Sequence, residues 1–214
     1  MPRLGGDAEL CVMANGWDQR YRENEIVYGF LPNAFMASQL LLRESGTLYL
    51  PCDGEGRNGV WAAQQGWRVR TFDASEVGVR KSLDWANQEG VALDAEVADA
   101  MDVNPGEQFD VVALIFAHMP EPMRAAFHRR AWSWVKPGGL LVVEGFHKDQ
   151  LGLTSGGPKD LGMLFHERTI EEDLGGAPHR TLWSARCEQI LDEGPFHQGR
   201  GITCQWVLQN EAER

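Results

Sequence analysis

The sequence is poor in positive charge: 20 Lys and Arg stand against 31 Asp and Glu, a formal net charge of −11. A phosphate backbone is repelled by that field and no Lys/Arg stripe offsets it, so no nucleic-acid partner is expected, and a small neutral or cationic molecule fits better. Cysteine is scarce. The four, at positions 11, 52, 187 and 204, form no Cys-x-x-Cys pair and no ligand spacing with histidine, so neither a metal site nor a disulfide framework is expected. They read as small buried hydrophobes in a reducing compartment. Long apolar runs are missing too. The stretch Asp110 to Ala117 is far too short to cross a bilayer, and the amino terminus lacks a basic start followed by an apolar stretch. The expectation is a cytoplasmic protein with no membrane partner.

What is present is ordinary globular usage, 43% hydrophobic and 24% charged over 214 residues, enough for one sizeable core. Within it one stretch carries most of the information. Thr47-Leu48-Tyr49-Leu50-Pro51 is a β-branched and aromatic run that empties into Cys52-Asp53-Gly54-Glu55-Gly56 and then a helical pattern. A strand, a glycine turn and a helix start make an element that cradles a nucleotide. Twenty residues after Asp53 a second strand ends in Asp73, the place where such folds set an acid against a ribose diol. A third ends at Ala98-Asp99-Ala100, a second acid beside the first. Either acid has a plainer reading: Asp73 as the cap of a helix beginning near Ser75, Asp99 as the cap of a turn.

Strands alternate with helices to about residue 150. The pattern predicts a lead-in helix near Pro32 to Glu44, strands at 47–52, 67–72, 92–97, 110–116 and 139–146, and helices at 57–65 and 75–89. A further amphipathic helix carries Met123, Phe127, Ala131 and Trp134 at helical spacing. This rhythm implies a parallel sheet with right-handed crossovers. The tail holds a short helix at Thr169 to Leu174 and two strand-like runs, 181–191 and 201–208.

The chain resembles the class I S-adenosylmethionine-dependent methyltransferases, in particular small bacterial proteins similar to the tellurite-resistance methyltransferases. The resemblance rests on Trp17-Asp18-Gln19-Arg20-Tyr21, Tyr28-Gly29-Phe30-Leu31-Pro32-Asn33, the Gly54 to Asn58 turn, Val135-Lys136-Pro137-Gly138-Gly139 and Gly156-Gly157-Pro158. It implies an α/β fold: a Rossmann-like seven-stranded, mostly parallel sheet with helices on both faces and a reversed last strand. The whole chain then forms one domain, with a helical lid at 1–45, a cofactor-binding core at 46–146, an acceptor-side loop and short helix at 147–180 and a β-hairpin at 181–214. The implied cofactor is S-adenosylmethionine, bound by Cys52, Asp53, Gly54, Gly56, Asp73, Ala74, Asp99, Ala100, Phe116, Trp17 and Tyr28, with Arg20 toward the methionine carboxylate. One departure stands out: the family's acid-x-Gly-x-Gly-x-Gly pattern reads Leu50-x-Cys52-x-Gly54-x-Gly56, without its first acid and first glycine.

The implied reaction is methyl transfer to a small-molecule acceptor, by a monomer or homodimer. A nicotinamide oxidoreductase is the alternative, since Gly54-x-Gly56-x-x-Gly59 matches the dinucleotide letters; a non-catalytic S-adenosylmethionine-binding module is another. His118, beyond the fourth strand, is the expected acceptor-facing catalytic group, with a backbone-bonded histidine ahead of Pro120 as the plainer reading. His147 and His197 read as structural and His128 as a solvated surface residue. The stretch Gly152 to Gly162 is a loop by composition and a gate over the acceptor.

Overall fold

The computed structural model describes residues 16–212, so Cys11 lies outside the described residues. A first helix (α1) occupies 16–23 among them. Then follow α2 Ala34–Leu41, β1 Thr47–Pro51, α3 Arg57–Gln64, β2 Arg68–Asp73, α4 Glu76–Glu89, β3 Asp94–Val97 and β4 Phe109–Ile115. The chain continues through α5 Glu121–Ser133, β5 Val135–Phe146, α6 Thr169–Leu174, β6 His179–Asp192 and β7 Gln198–Asn210. The seven strands form one sheet in the order β3-β2-β1-β4-β5-β7-β6. Strands β1 to β5 are parallel, and β7 runs antiparallel to both neighbours. This is the Rossmann-like sheet with a reversed last strand that the resemblance implied.

Alternation within the strands builds a core on each face of the sheet. Leu48, Leu50, Val111 and Ala113 pack with Met36 and Leu40 of α2, whereas Tyr49, Val112 and Leu114 pack with Phe127 of α5 and with Trp134. Phe35, expected in a lid, joins the first of these clusters. Local chemistry sets the element boundaries. Asn33 caps α2 through Met36 N, and Ser75 caps α4 through Gly78 N. Strand β3 starts two residues later than the pattern predicted, because Gly90 ends α4 in the left-handed region and Val91 N is spent on Ala86 O.

Strand β5 starts earlier than predicted. Val135 already pairs with Phe109, then Leu140 pairs with Val111, so Lys136 to Gly139 bulge out of the ladder instead of preceding the strand. Lys136 Nζ lies 2.8 Å from Asp110 Oδ1, and Asp110 Oδ2 accepts from Thr47 N, which staples the starts of β1, β4 and β5. The two tail strands are longer than predicted and meet in a tight turn at 193–197.

Gly56, expected at the cofactor, serves packing instead. It has φ 87°, and a Cβ there would lie 2.4 Å from Ser82 Cβ on α4, so its missing side chain lets the start of α3 seat against α4. Gly56→Ala is expected to lose the left-handed allowance, about 1–2 kcal/mol, plus about 1–3 kcal/mol of overpacking. Gly90→Ala is the control, since φ is 69° there but nothing lies within 4 Å of an added Cβ. Urea unfolding of both variants is the measurement; equal losses would mean that Ser82 imposes nothing.

Candidate active site

Neighbouring crossovers leave the sheet in opposite directions at β1 and β4, which opens a crevice at the carboxyl ends of these strands. A cavity of about 850 Å³ fills it. Two non-glycine residues among the described ones have positive φ, Cys52 at 59° after β1 and Phe116 at 54° after β4, and both line this cavity. Left-handed backbone at a cavity wall is strain held by its surroundings. Cys52 thus takes the left-handed turn without a glycine, its N–H bonded to Phe72 O at 2.8 Å. Gly54 follows with φ 57°, and Tyr21 Oη occupies the space 2.3 Å from where a Cβ would stand.

The acids near this turn divide their work. Asp73 is buried: Oδ2 accepts from Gly54 N at 2.9 Å and Oδ1 from Ser75 N at 2.8 Å. Ser75, and not Asp73, is the helix cap. Burial outweighs these backbone bonds and lifts the Asp73 carboxyl to about 6. Asp53 is committed to the first turn of α3, accepting from Asn58 Nδ2 at 3.1 Å and Gly59 N at 3.0 Å, with burial raising it to about 7. Each of its oxygens thus holds one bond of that turn, and its backbone lies in the glycine turn beside the cavity. Asp99 accepts from Met101 N at 2.7 Å through Oδ1, while Oδ2 has no partner among the described residues. Ala74, Ala98 and Ala100 lie on the same wall, and Gly56 is off it.

His118 lines the cavity, but both ring nitrogens are engaged. Nε2 accepts from Phe146 N at 2.9 Å, so Nδ1 carries the proton and donates to Met163 O at 2.7 Å. Burial drops its pKa to about 4. It is a neutral brace between β5 and the Leu161–Met163 turn, without a nitrogen free for an acceptor's proton; the plainer of its two readings holds.

The amino-terminal wall comes from α1 and the segment after it. Trp17 stacks on Tyr21 at 5.7 Å between ring centroids, Arg20 lies 4.5 Å over Trp17, and Arg20 Nη1 donates to Tyr28 Oη at 3.2 Å. Gly157, Pro158, Lys159 and Asp160 of the expected gate also line the cavity. Two residues were undervalued in the sequence. Tyr21, 4% exposed, seals the glycine turn, and its i, i+4 spacing from Trp17 was the available signal. His197, read as structural, reaches the cavity from the β6–β7 turn. His128 is fully buried, its Nδ1 2.8 Å from Asp173 Oδ2, which corrects its reading as a surface residue. His147 stays off the cavity, accepting from Asp149 N at 3.0 Å.

Residues 51–139, from the glycine turn to the start of β5, match the family described as methyltransferase domain. Over this span the chain matches that family, and its fold is the one found in S-adenosylmethionine-dependent methyltransferases. The chain is 28% identical over 154 residues to glycine N-methyltransferase of Rattus norvegicus, covering 63% of this chain and 52% of that protein. It is 29% identical over 150 residues to a ubiquinone biosynthesis O-methyltransferase of Paramagnetospirillum magneticum, covering 63% and 59%. The chain thus spans between half and three fifths of the length of these relatives. Its fold is shared with TehB from Haemophilus influenzae at a TM-score of 0.65, with 14% identity over 82% of this chain and 61% of that one. The protein described in the conversion of a disulfide bond into a thioacetal group during echinomycin biosynthesis gives 0.76, with 15% identity over 94% and 93%.

Because Asp73 holds two buried N–H groups, Asp73→Ala is expected to destabilise the fold by about 1–3 kcal/mol for each group left without a partner. Urea unfolding with the linear extrapolation measures it. A stability within about 0.5 kcal/mol of the parent would show that water replaces the carboxylate and that the clamp carries no energy.

Proposed function

We propose that this protein transfers the methyl group of S-adenosylmethionine to a small-molecule acceptor held in the same cavity. The observation that carries this reading is the constellation at the switch point: a left-handed glycine turn backed by a buried carboxylate, and across the crevice Asp99 with one oxygen unspent. A volume of about 850 Å³ is near the upper end of ligand sites, room for a nucleoside cofactor and a small second molecule.

The residues suit the cofactor part by part. Backbone of Cys52, Asp53 and Gly54 faces the methionine portion, with Trp17, Arg20 and Tyr28 closing over it. Asp73 retains a lone pair on each oxygen toward a ribose diol, with Ala74 beside it. Asp99 and Ala100 lie toward the base, and Phe116 toward the reacting end. When bound, S-adenosylmethionine supplies a methyl group already activated by its sulfonium. The chain therefore has to orient an acceptor in line and keep water out. His118 serves this as a positioning residue, since its two hydrogen bonds fix Phe146 and Met163 on the acceptor side. The absence of the first motif acid is consistent, because Leu50 is 1% exposed and belongs to the core.

The net charge of −11 favours a small acceptor over a nucleic acid. No described helix is long and apolar enough to cross a membrane. A cytoplasmic monomer or homodimer remains our reading of the unpaired cysteines and the composition.

Calorimetry tests the proposal. S-adenosylmethionine and its demethylated product are both expected to bind, and Asp99→Ala to weaken each by about 1.5–3 kcal/mol through loss of a charge-assisted hydrogen bond. NAD serves as the control; binding of NAD alone would overturn the reading in favour of an oxidoreductase.

A further inference from the structure

The β6–β7 turn brings to the cavity a histidine, backed by a carboxylate on the same turn, that no resemblance assigned. Its shape is closed by Glu193 N donating to His197 O at 3.0 Å and His197 N to Gly194 O at 3.2 Å. Its tip rests on the segment after α1, where Phe196 N reaches Val27 O at 3.4 Å. Inside, Glu193 Oε2 accepts from Arg57 Nη2 at 3.0 Å and faces His197 Nδ1 at 3.2 Å, while Oε1 accepts from Asn33 Nδ2 at 3.1 Å. Burial raises the Glu193 carboxyl, but the bonds from His197 and Arg57 prevail and hold it at about 2, so it is ionised over the working range.

An ionised acceptor at Nδ1 fixes the tautomer: Nδ1 carries the proton and the Nε2 lone pair is free. Nε2 has no hydrogen-bond partner among the described residues. The ring is 5% exposed and boxed by Tyr28, Phe116 and Phe146 at centroid distances of 4.5, 4.7 and 5.1 Å, so its orientation is set by packing as well as by Glu193. Phe116 is the strained residue just after β4, so the imidazole lies against the wall of the cavity that the end of β4 forms. His118, by contrast, has spent both nitrogens.

We propose that His197 is the catalytic base of this enzyme, oriented by Glu193, and that the acceptor is therefore a hydroxyl or amine whose nucleophilic atom carries a proton to be lost. This rests on the methyl-transfer reading above. The step balances: the acceptor X–H bond breaks and its proton goes to Nε2; the freed electron pair forms the X–CH3 bond. The electron pair of the broken S–CH3 bond stays on sulfur, which leaves as a neutral thioether. The imidazolium, paired with the Glu193 carboxylate, returns its proton to water.

The groups facing the ring are Glu193 on its own turn, Arg57 of α3, Arg20 of α1, Tyr28 and, beyond β4, His118. Burial lowers the His197 pKa, Glu193 raises it, and the two arginines lower it, with a net shift below 6.5. The ring is thus neutral at pH 7, the form a base requires, and that form is lost only as pH falls below the ordinary imidazole range.

Nuclear magnetic resonance on 15N-histidine protein without any acceptor gives the first readout. His197 is expected as the Nδ1–H tautomer titrating below 6.5, and Glu193→Gln, which removes the group that raises its pKa, should move that titration lower still. An Nε2–H tautomer, or a pKa at or above 6.5, overturns the proposal, and this measurement on the unsubstituted protein does not depend on any variant folding. The second readout is formation of S-adenosylhomocysteine with catechol and with benzylamine as proton-bearing probes. His197→Gln is expected to lose about 10²–10⁴-fold in kcat while its Kd for S-adenosylmethionine stays within about threefold. Retained kcat, or turnover of neither probe by protein that binds the cofactor, counts against a proton-removing base. Failure of the parent protein to bind S-adenosylmethionine would instead sink the underlying methyl-transfer reading.

Discussion

The carboxylate of Asp73 ties the site to the fold. It ends β2, yet its two oxygens hold the N–H of Gly54 after β1 and the N–H of Ser75 ahead of α4. One side chain thus sets the spacing between two crossovers and the height of the glycine turn above the sheet. Ser75 extends the linkage: its hydroxyl caps α4 at Gly78 N and donates to Asp18, so α1 is drawn onto the same corner. With α1 come Trp17, Arg20 and Tyr21, and Tyr21 fills the space above Gly54 that a side chain would occupy. The amino-terminal wall of the cavity is therefore a consequence of how the turn is clamped. The balance at this buried acid is narrow, since burial lifts the Asp73 pKa while backbone bonds pull it down.

A second polar cluster does the corresponding work on the other side of the switch point. Glu144, near the carboxyl end of β5 and 1% exposed, accepts from Gln189 of β6, from Thr203 and Gln205 of β7 and from Asn33 at the start of α2. Asn33 also reaches Glu193, which joins Arg57 and His197. A buried carboxylate left unpaired is expensive, so this cluster determines where the reversed hairpin docks and which residues its turn delivers. The packing of aromatic rings around His197 then narrows the delivered imidazole to one orientation.

Much of the fold was legible in the sequence because its information is local. Period-two and period-3.6 patterns told strands from helices, and the apolar run Val111 to Ile115 of β4 announced a strand buried on both faces. The glycine turn and the acids at two strand ends located the crevice for the same reason: in a parallel sheet, chain position along β1 to β4 already says which end faces the ligand. Boundaries slipped where a distant partner decided them, as at β5, whose Lys136 to Gly139 bulge exists because Asp110 and Phe109 hold its edge.

The chemistry inside the crevice was a different matter. A motif states that an acid or a histidine stands near the cavity, not which of its lone pairs are already used. His118 looked available and is committed to Phe146 N and Met163 O. His197 looked structural and is the histidine of the cavity wall with an open nitrogen, held by a glutamate on its own turn that Arg57 and Asn33 anchor from far along the chain. The sequence by itself determined the layered sheet, the site of the glycine turn and the acids that frame it, since these follow from periodicity and from order along the chain. Only the tertiary structure decided which of those groups remain free to act, because a polar atom's availability depends on partners that crossovers and the docked hairpin bring together.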